Sequence, residues 1–130
     1  DYLLALIHPA LSLSSIFALV FTPAAVLMGV EAADVPAIAD LLGTKIVATE
    51  FVAYVTLTTE YQNIISDRSV ALATYALTGF ANFGSVGILL GGLGGMAPER
   101  RGDLARLGTR ALCGGFLATL INASIASLLL

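Results

Sequence analysis

With 130 residues, 58% of them hydrophobic and only 12% charged, and a mean hydropathy of +0.93, the chain is too apolar for a water-soluble domain. Soluble domains carry roughly 25% charged residues, and a chain this short cannot hide its apolar surface from solvent. The net charge of −3 offers no basic face, which excludes nucleic acid as a partner, so the composition is that of an all-α integral membrane protein in a lipid bilayer.

Residue 1 is Asp and the chain closes inside the run Leu128-Leu129-Leu130, which reads as a fragment of a larger transporter. No cationic start with a small-residue cleavage site is present. Residues 1–10, with His8-Pro9 at a helix boundary, read as an interfacial segment. Residues 11–30 are uncharged, close to the ~20 residues that span a bilayer, and Pro23 predicts a kink there.

The next segment, 34–66, follows an acidic loop holding Glu31 and Asp34. Asp34 with Pro36 two positions on is an N-terminal signal for a helix. Asp40, Lys45, Glu50 and Glu60 then punctuate the segment and leave no uncharged stretch of spanning length. Two arms of about 20–22 Å each, at 1.5 Å per residue, fall short of a ~30 Å hydrocarbon core. A re-entrant helical hairpin with Thr49-Glu50 near its tip fits, and it must be buried against protein or water.

Residues 68–97 carry no charge after Arg68 and hold Gly79, Gly84, Gly87, Gly91, Gly92, Gly94 and Gly95. This glycine density predicts a broken, partly unwound transmembrane helix with its break around Asn82-Phe83-Gly84. Gly87, Gly91 and Gly95 suit close helix packing instead. The last transmembrane helix, 98–130, begins at a polar turn with Pro98, and Asn122 is a candidate for interhelical hydrogen bonding. Arg100, Arg101, Arg106 and Arg110 cluster at that turn, which places it on the cytoplasmic side. Cys113, the lone cysteine, reads as a small packing residue.

Glu50, Asn82 and Ser85 are polar groups at a depth where a carboxylate costs at least ~2.5 kcal/mol. Broken helices with such groups near the midplane are how secondary transporters build binding sites. Glu50 can accept from two hydroxyls with charge-assisted bonds. Asn82 offers a donor and an acceptor and Ser85 a rotatable hydroxyl, three residues apart on one turn. Alternative roles remain for Glu50, paired to Lys45 or capping a helix, and for Phe80, packed in the core. Lys45 reads as structural, neutralising Asp40 or Glu50 or reaching toward the interface.

The run Gly43-Thr44-Lys45-Ile46-Val47-Ala48-Thr49-Glu50-Phe51-Val52-Ala53-Tyr54 resembles the signature of concentrative nucleoside transporters, including the bacterial-type nucleoside permeases. The signature runs G-x-K-x-x-x-N-E-F-V-A-aromatic, and only Thr49 departs from it. Residues 79–88, the tail Gly91 to Arg101, and Phe21-Thr22-Pro23 through Gly29 are similar to the same family. The resemblance implies the C-terminal portion of a sodium- or proton-coupled nucleoside symporter, multi-pass in the bacterial inner membrane and working as a homotrimer. It implies an elevator motion in which 11–30 belongs to a fixed scaffold and the later elements move. It further implies ribose binding by Glu50, Asn82 and Ser85 and an apolar contact from Phe80, with Thr49 altering the hairpin tip. The coupling ion is expected to bind mainly outside these residues, with no metal site or cofactor within them.

Three rivals stand beside this reading. A transporter of another small polar solute shares the broken-helix architecture, although an anionic substrate would need basic groups at depth and only Lys45 qualifies. An intramembrane enzyme would need a nucleophile–base pair or a metal cluster, which His8 and Cys113 cannot supply. A purely structural membrane subunit leaves Glu50 and Asn82 unexplained.

Overall fold

The computed structural model describes residues 13–130, with side chains from Ile16 onward, so the interfacial reading of 1–10 lies outside the described residues. Every regular element among the described residues is helical. They are α1 (Leu13–Leu27), α2 (Val35–Val47), α3 (Glu50–Thr56) continued by a π-helical turn (Leu57–Tyr61), α4 (Asp67–Leu77), α5 (Phe83–Met96), a 3-10 turn (Pro98–Arg100) and α6 (Arg101–Ser127).

Helices α1 and α2 pack most intimately, and one glycine explains it. A Cβ built on Gly43 would stand 2.1 Å from Cβ of Phe17, so only glycine lets the two backbones approach this closely. Pro23 lies inside α1. The core around this contact holds Ala25, Met28, Ile38, Leu41, Leu42, Leu72, Ala76 and Leu77.

The chain doubles back between α2 and the segment that follows. Asp34 accepts from the backbone N–H (3.1 Å) and hydroxyl (2.9 Å) of Ser66. The Tyr61 hydroxyl donates to Asp40 at 3.0 Å. Both pairs centre on residue 50, and the helical backbone stops at Val47 and restarts at Glu50. Asp34 therefore serves differently from its sequence signal. It stands at the N-cap position of α2 without a side-chain capping bond, because its carboxylate reaches across to Ser66 instead. Ser66 caps α4, its hydroxyl accepting from the Ser69 N–H at 3.2 Å.

The break between α4 and α5 lies earlier than the glycine pattern suggests. Helix ends at Leu77 and resumes at Phe83, so residues 78–82 are non-helical and Phe83-Gly84 are already helical. Gly79 is the reason: it adopts φ +81°, a left-handed conformation open to glycine at little cost. Gly84 is instead the second residue of α5.

Among the described residues, one helical run, Pro98–Ser127, is long and apolar enough to cross a membrane. Its C-terminal end is fastened by Arg68, whose guanidinium donates to the Ser127 carbonyl (2.9 Å), the Ser127 hydroxyl (2.7 Å) and the Gly29 carbonyl (2.7 Å). One side chain thus joins the ends of α1 and α6 to the start of α4. Large apolar side chains on α5 and α6, among them Ile88, Leu89, Leu117 and Ile121, remain exposed.

Candidate binding site

Two helix starts meet where Asn82 bonds Glu50. Thr49 has extended backbone, and its hydroxyl accepts from the Val52 N–H at 3.3 Å, so it caps α3. Glu50 is the first helical residue after it, where the positive end of the helix dipole favours a carboxylate. Asn82 likewise has extended backbone and caps α5, its Oδ1 accepting from the Ser85 N–H at 2.7 Å. Its Nδ2 donates to Oε2 of Glu50 at 2.6 Å. The cap fixes which end of the amide is oxygen, and so leaves the nitrogen for the carboxylate.

Asn82 is buried, whereas Glu50 and Ser85 are half-buried and Phe80 is 79% exposed. A carboxylate offers about four acceptor positions, so the bond from Asn82 leaves Glu50 with capacity for further donors. A Cβ on Gly84 would approach Asn82 Oδ1 to 3.2 Å, which makes a glycine there the easiest fit beside the cap. Phe80, Ala81 and Ser85, which flank Asn82 in sequence, open a cavity of about 440 Å³ between α5 and α6, lined further by Leu89, Leu93, Leu107 and Leu112. The structure therefore joins Glu50 directly to Asn82 and sets Ser85 and Phe80 on the wall of an adjoining apolar cavity.

Lys45 has the structural role its position suggests, but its direct hydrogen bonds go to partners the sequence does not name. Neutralising Asp40 or Glu50, or reaching toward the interface, are the expectations; its ammonium donates directly to the carbonyls of Ala76 (2.8 Å) and Thr78 (2.8 Å) and to the Thr119 hydroxyl (3.1 Å). It also lies 5.6 Å from the ring centroid of Phe116. Carbonyls at a helix C-terminus lack intrahelical donors and form the negative end of the dipole, so the end of α4 competes well with a side-chain carboxylate. Asp40 turns to Tyr61. Asn122 is exposed, and Thr119, one turn earlier on α6, carries the interhelical bond. A threonine in an apolar helix is ordinary in sequence, and the signal of Thr119 is its position, one turn before the more conspicuous Asn122. Tyr54, the aromatic position of the motif, has a role its sequence does not disclose: its hydroxyl donates to the Thr74 carbonyl at 2.8 Å, tying α3 to α4.

A family model described as "Na+ dependent nucleoside transporter C-terminus" matches residues 1–127. The chain belongs to this family. Its membership places it among membrane transporters, as the C-terminal portion of a concentrative nucleoside transporter. An uncharacterized transporter of Haemophilus influenzae is 46% identical over 123 residues, covering 91% of this chain and 30% of that protein. Sodium/nucleoside cotransporter 1 of Sus scrofa is 44% identical over 133 residues, covering 92% of this chain and 21% of that one. A solved structure described as CNTnw in an inward-facing substrate-bound state superposes with a TM-score of 0.86 at 39% identity, over 98% of this chain and 32% of the other. The chain thus spans a third or less of each of these relatives.

Proposed function

We propose that this chain is the sugar-reading half of an ion-coupled nucleoside symporter. The observation that carries it is the Glu50–Asn82 pair, a carboxylate and an amide joined at the meeting of two helix starts, beside an apolar cavity. A ribose presents neighbouring hydroxyls, for which Glu50 has open acceptor positions. Ser85 adds a hydroxyl, and Phe80 an aromatic face for the apolar part of the ligand. Thr49 keeps the capping role its position requires, so its hydroxyl shapes the tip.

Helices α2 and α3 with the π-helical turn act in this reading as a re-entrant hairpin over 34–66. The 13 residues of α2 reach only about 20 Å at 1.5 Å per residue, short of a ~30 Å core. Helices α4 and α5 act as the two halves of a broken transmembrane helix. Residues 11–30 serve as scaffold and 98–130 as the last crossing, in a homotrimeric elevator of the bacterial inner membrane. The arginines around Arg101 face the cytoplasm, and sodium or protons bind mainly in the part of the site contributed by other residues.

Labelled uridine or adenosine tests the reading directly, with the complete polypeptide that contains these residues in proteoliposomes. Uptake driven by a sodium or proton gradient, inhibited by ribonucleosides more strongly than by free bases, is expected. Uptake of an acidic amino acid or another polar solute with no nucleoside uptake would overturn it.

A further inference from the structure

The Lys45 ammonium lies apart from the candidate ligand contacts, yet it is placed to govern them. It is fully buried, and its three hydrogen bonds go to oxygens of α4 and α6 and of the non-helical stretch after α4. An ammonium has three protons to give, so the side chain is saturated and its geometry is fixed. Lys45 stands on α2 five residues before Glu50, and the Thr78 carbonyl it holds stands four residues before Asn82. The two strands of chain that lead to the Glu50–Asn82 bond are therefore fastened to each other at a single cation. Thr119 extends the same fastening to α6, and its methyl lies 3.3 Å from where a Cβ on Gly79 would be. The segment 78–82 is thus pinned from two sides at the point where helix gives way to extended backbone.

We infer that Lys45 is a positioning residue for ligand recognition: a built-in cation that holds the α4–α5 break against α2 and so sets the distance between Glu50 and Asn82. This inference rests on the reading of Glu50 and Asn82 as contacts to the sugar. The chemistry is that of a bound monovalent cation, with two carbonyl oxygens at the negative end of α4 and a hydroxyl from α6 gathered around it. Supplying the charge from a side chain makes the fastening permanent, independent of ion concentration. An unpaired charge at this depth would not persist, so the lysine and its oxygens stand or fall together.

A role limited to folding and a role in positioning differ in what they move. Loss of folded protein lowers Vmax and leaves KM unchanged for every substrate. Loss of positioning raises KM, and does so most for substrates whose hydroxyls meet the misplaced pair. The test is uptake by the complete polypeptide carrying Lys45→Met, which keeps length and removes the charge, and Thr119→Val, which keeps shape and removes one oxygen. Uridine and a dideoxynucleoside are compared, with Glu50→Gln measured alongside. Lys45→Met is expected to raise KM for uridine about tenfold, equivalent to about 1.4 kcal/mol, and for the dideoxynucleoside by less than about twofold. Thr119→Val should move both in the same direction by smaller factors, and it carries the test if the methionine variant is not recovered in the membrane. If Glu50→Gln discriminates the two substrates while both the Lys45→Met and Thr119→Val variants alter Vmax alone, the positioning role is wrong and the sugar site stands. If Glu50→Gln fails to discriminate them, the sugar site itself is wrong.

Discussion

Two polar clusters lie five residues apart in sequence, on either side of the interruption between α2 and α3, and they are built to opposite rules. At Lys45 every proton of the ammonium is taken by a protein oxygen, and the side chain is sealed from solvent. At Glu50 the carboxylate takes a bond from Asn82, keeps further acceptor positions, and stays half-buried. A saturated charge at membrane depth holds a structure together; a charge with capacity left over can exchange a partner for a ligand. The two charges differ in both satisfaction and burial, although the partner of Glu50, Asn82, is as deeply buried as Lys45.

The sharpest way to break this contrast is Asn82→Asp. The aspartate can still cap α5, but it puts a second carboxylate at the 2.6 Å contact with Glu50. Two such charges a few ångströms apart repel by about 4 kcal/mol at an effective dielectric of ~20, and one of the two takes up a proton instead. Nucleoside affinity should fall by more than about a hundredfold at neutral pH, which equilibrium binding of the purified transporter would measure.

Asn82→Ala should act on two readouts at once. It deletes a bond to a charged group, at about 1.5–3 kcal/mol, and a helix cap, at about 0.5–2 kcal/mol. Both weaker binding and a lower thermal unfolding temperature are expected, whereas Ser85→Ala, whose backbone N–H remains, should weaken binding and leave that temperature nearly unchanged.

Gly79→Ala probes the break itself. A left-handed residue with a Cβ costs about 1–2 kcal/mol, and the added carbon would crowd the Thr119 methyl at 3.3 Å. Thermal stability should fall by that amount, read by a melting curve in detergent. Thr49→Ala sharpens the comparison at its smallest scale: loss of the α3 cap costs about 1 kcal/mol, while Thr49→Asn, another good cap and the family's usual residue, should stay within about 0.5 kcal/mol of the parent.

The legible and the illegible parts of this chain divide along physical lines. Composition gave the helical, membrane-embedded class, because apolar excess is a sum over residues and needs no geometry. The motif around Lys45 and Glu50 gave the family. The partners of Lys45 could not be read, because they are mostly backbone carbonyls and a carbonyl has no letter of its own. The break was displaced for a similar reason: Gly79 and Gly84 look alike in sequence, and only the sign of φ at Gly79 separates a hinge from a helical glycine. Gly43 was visible as a motif position, but its purpose depends on Phe17, a residue on another helix with no local signal. Asn82 and Ser85 share a turn by spacing, yet their bond runs from backbone to amide cap, which leaves the Ser85 hydroxyl unspent on it.

The account stands on Glu50 reading the sugar, and one measurement addresses that most directly. Glu50→Gln keeps the size of the side chain and removes its charge, and each lost charge-assisted bond is worth about 1.5–3 kcal/mol. Binding of a ribonucleoside and of the matching dideoxynucleoside should be measured for parent and variant at equal surface expression. A loss of roughly tenfold to a hundredfold for the ribonucleoside, with a clearly smaller loss for the dideoxynucleoside, is the predicted result. An equal loss for both would show that the carboxylate does not touch the sugar.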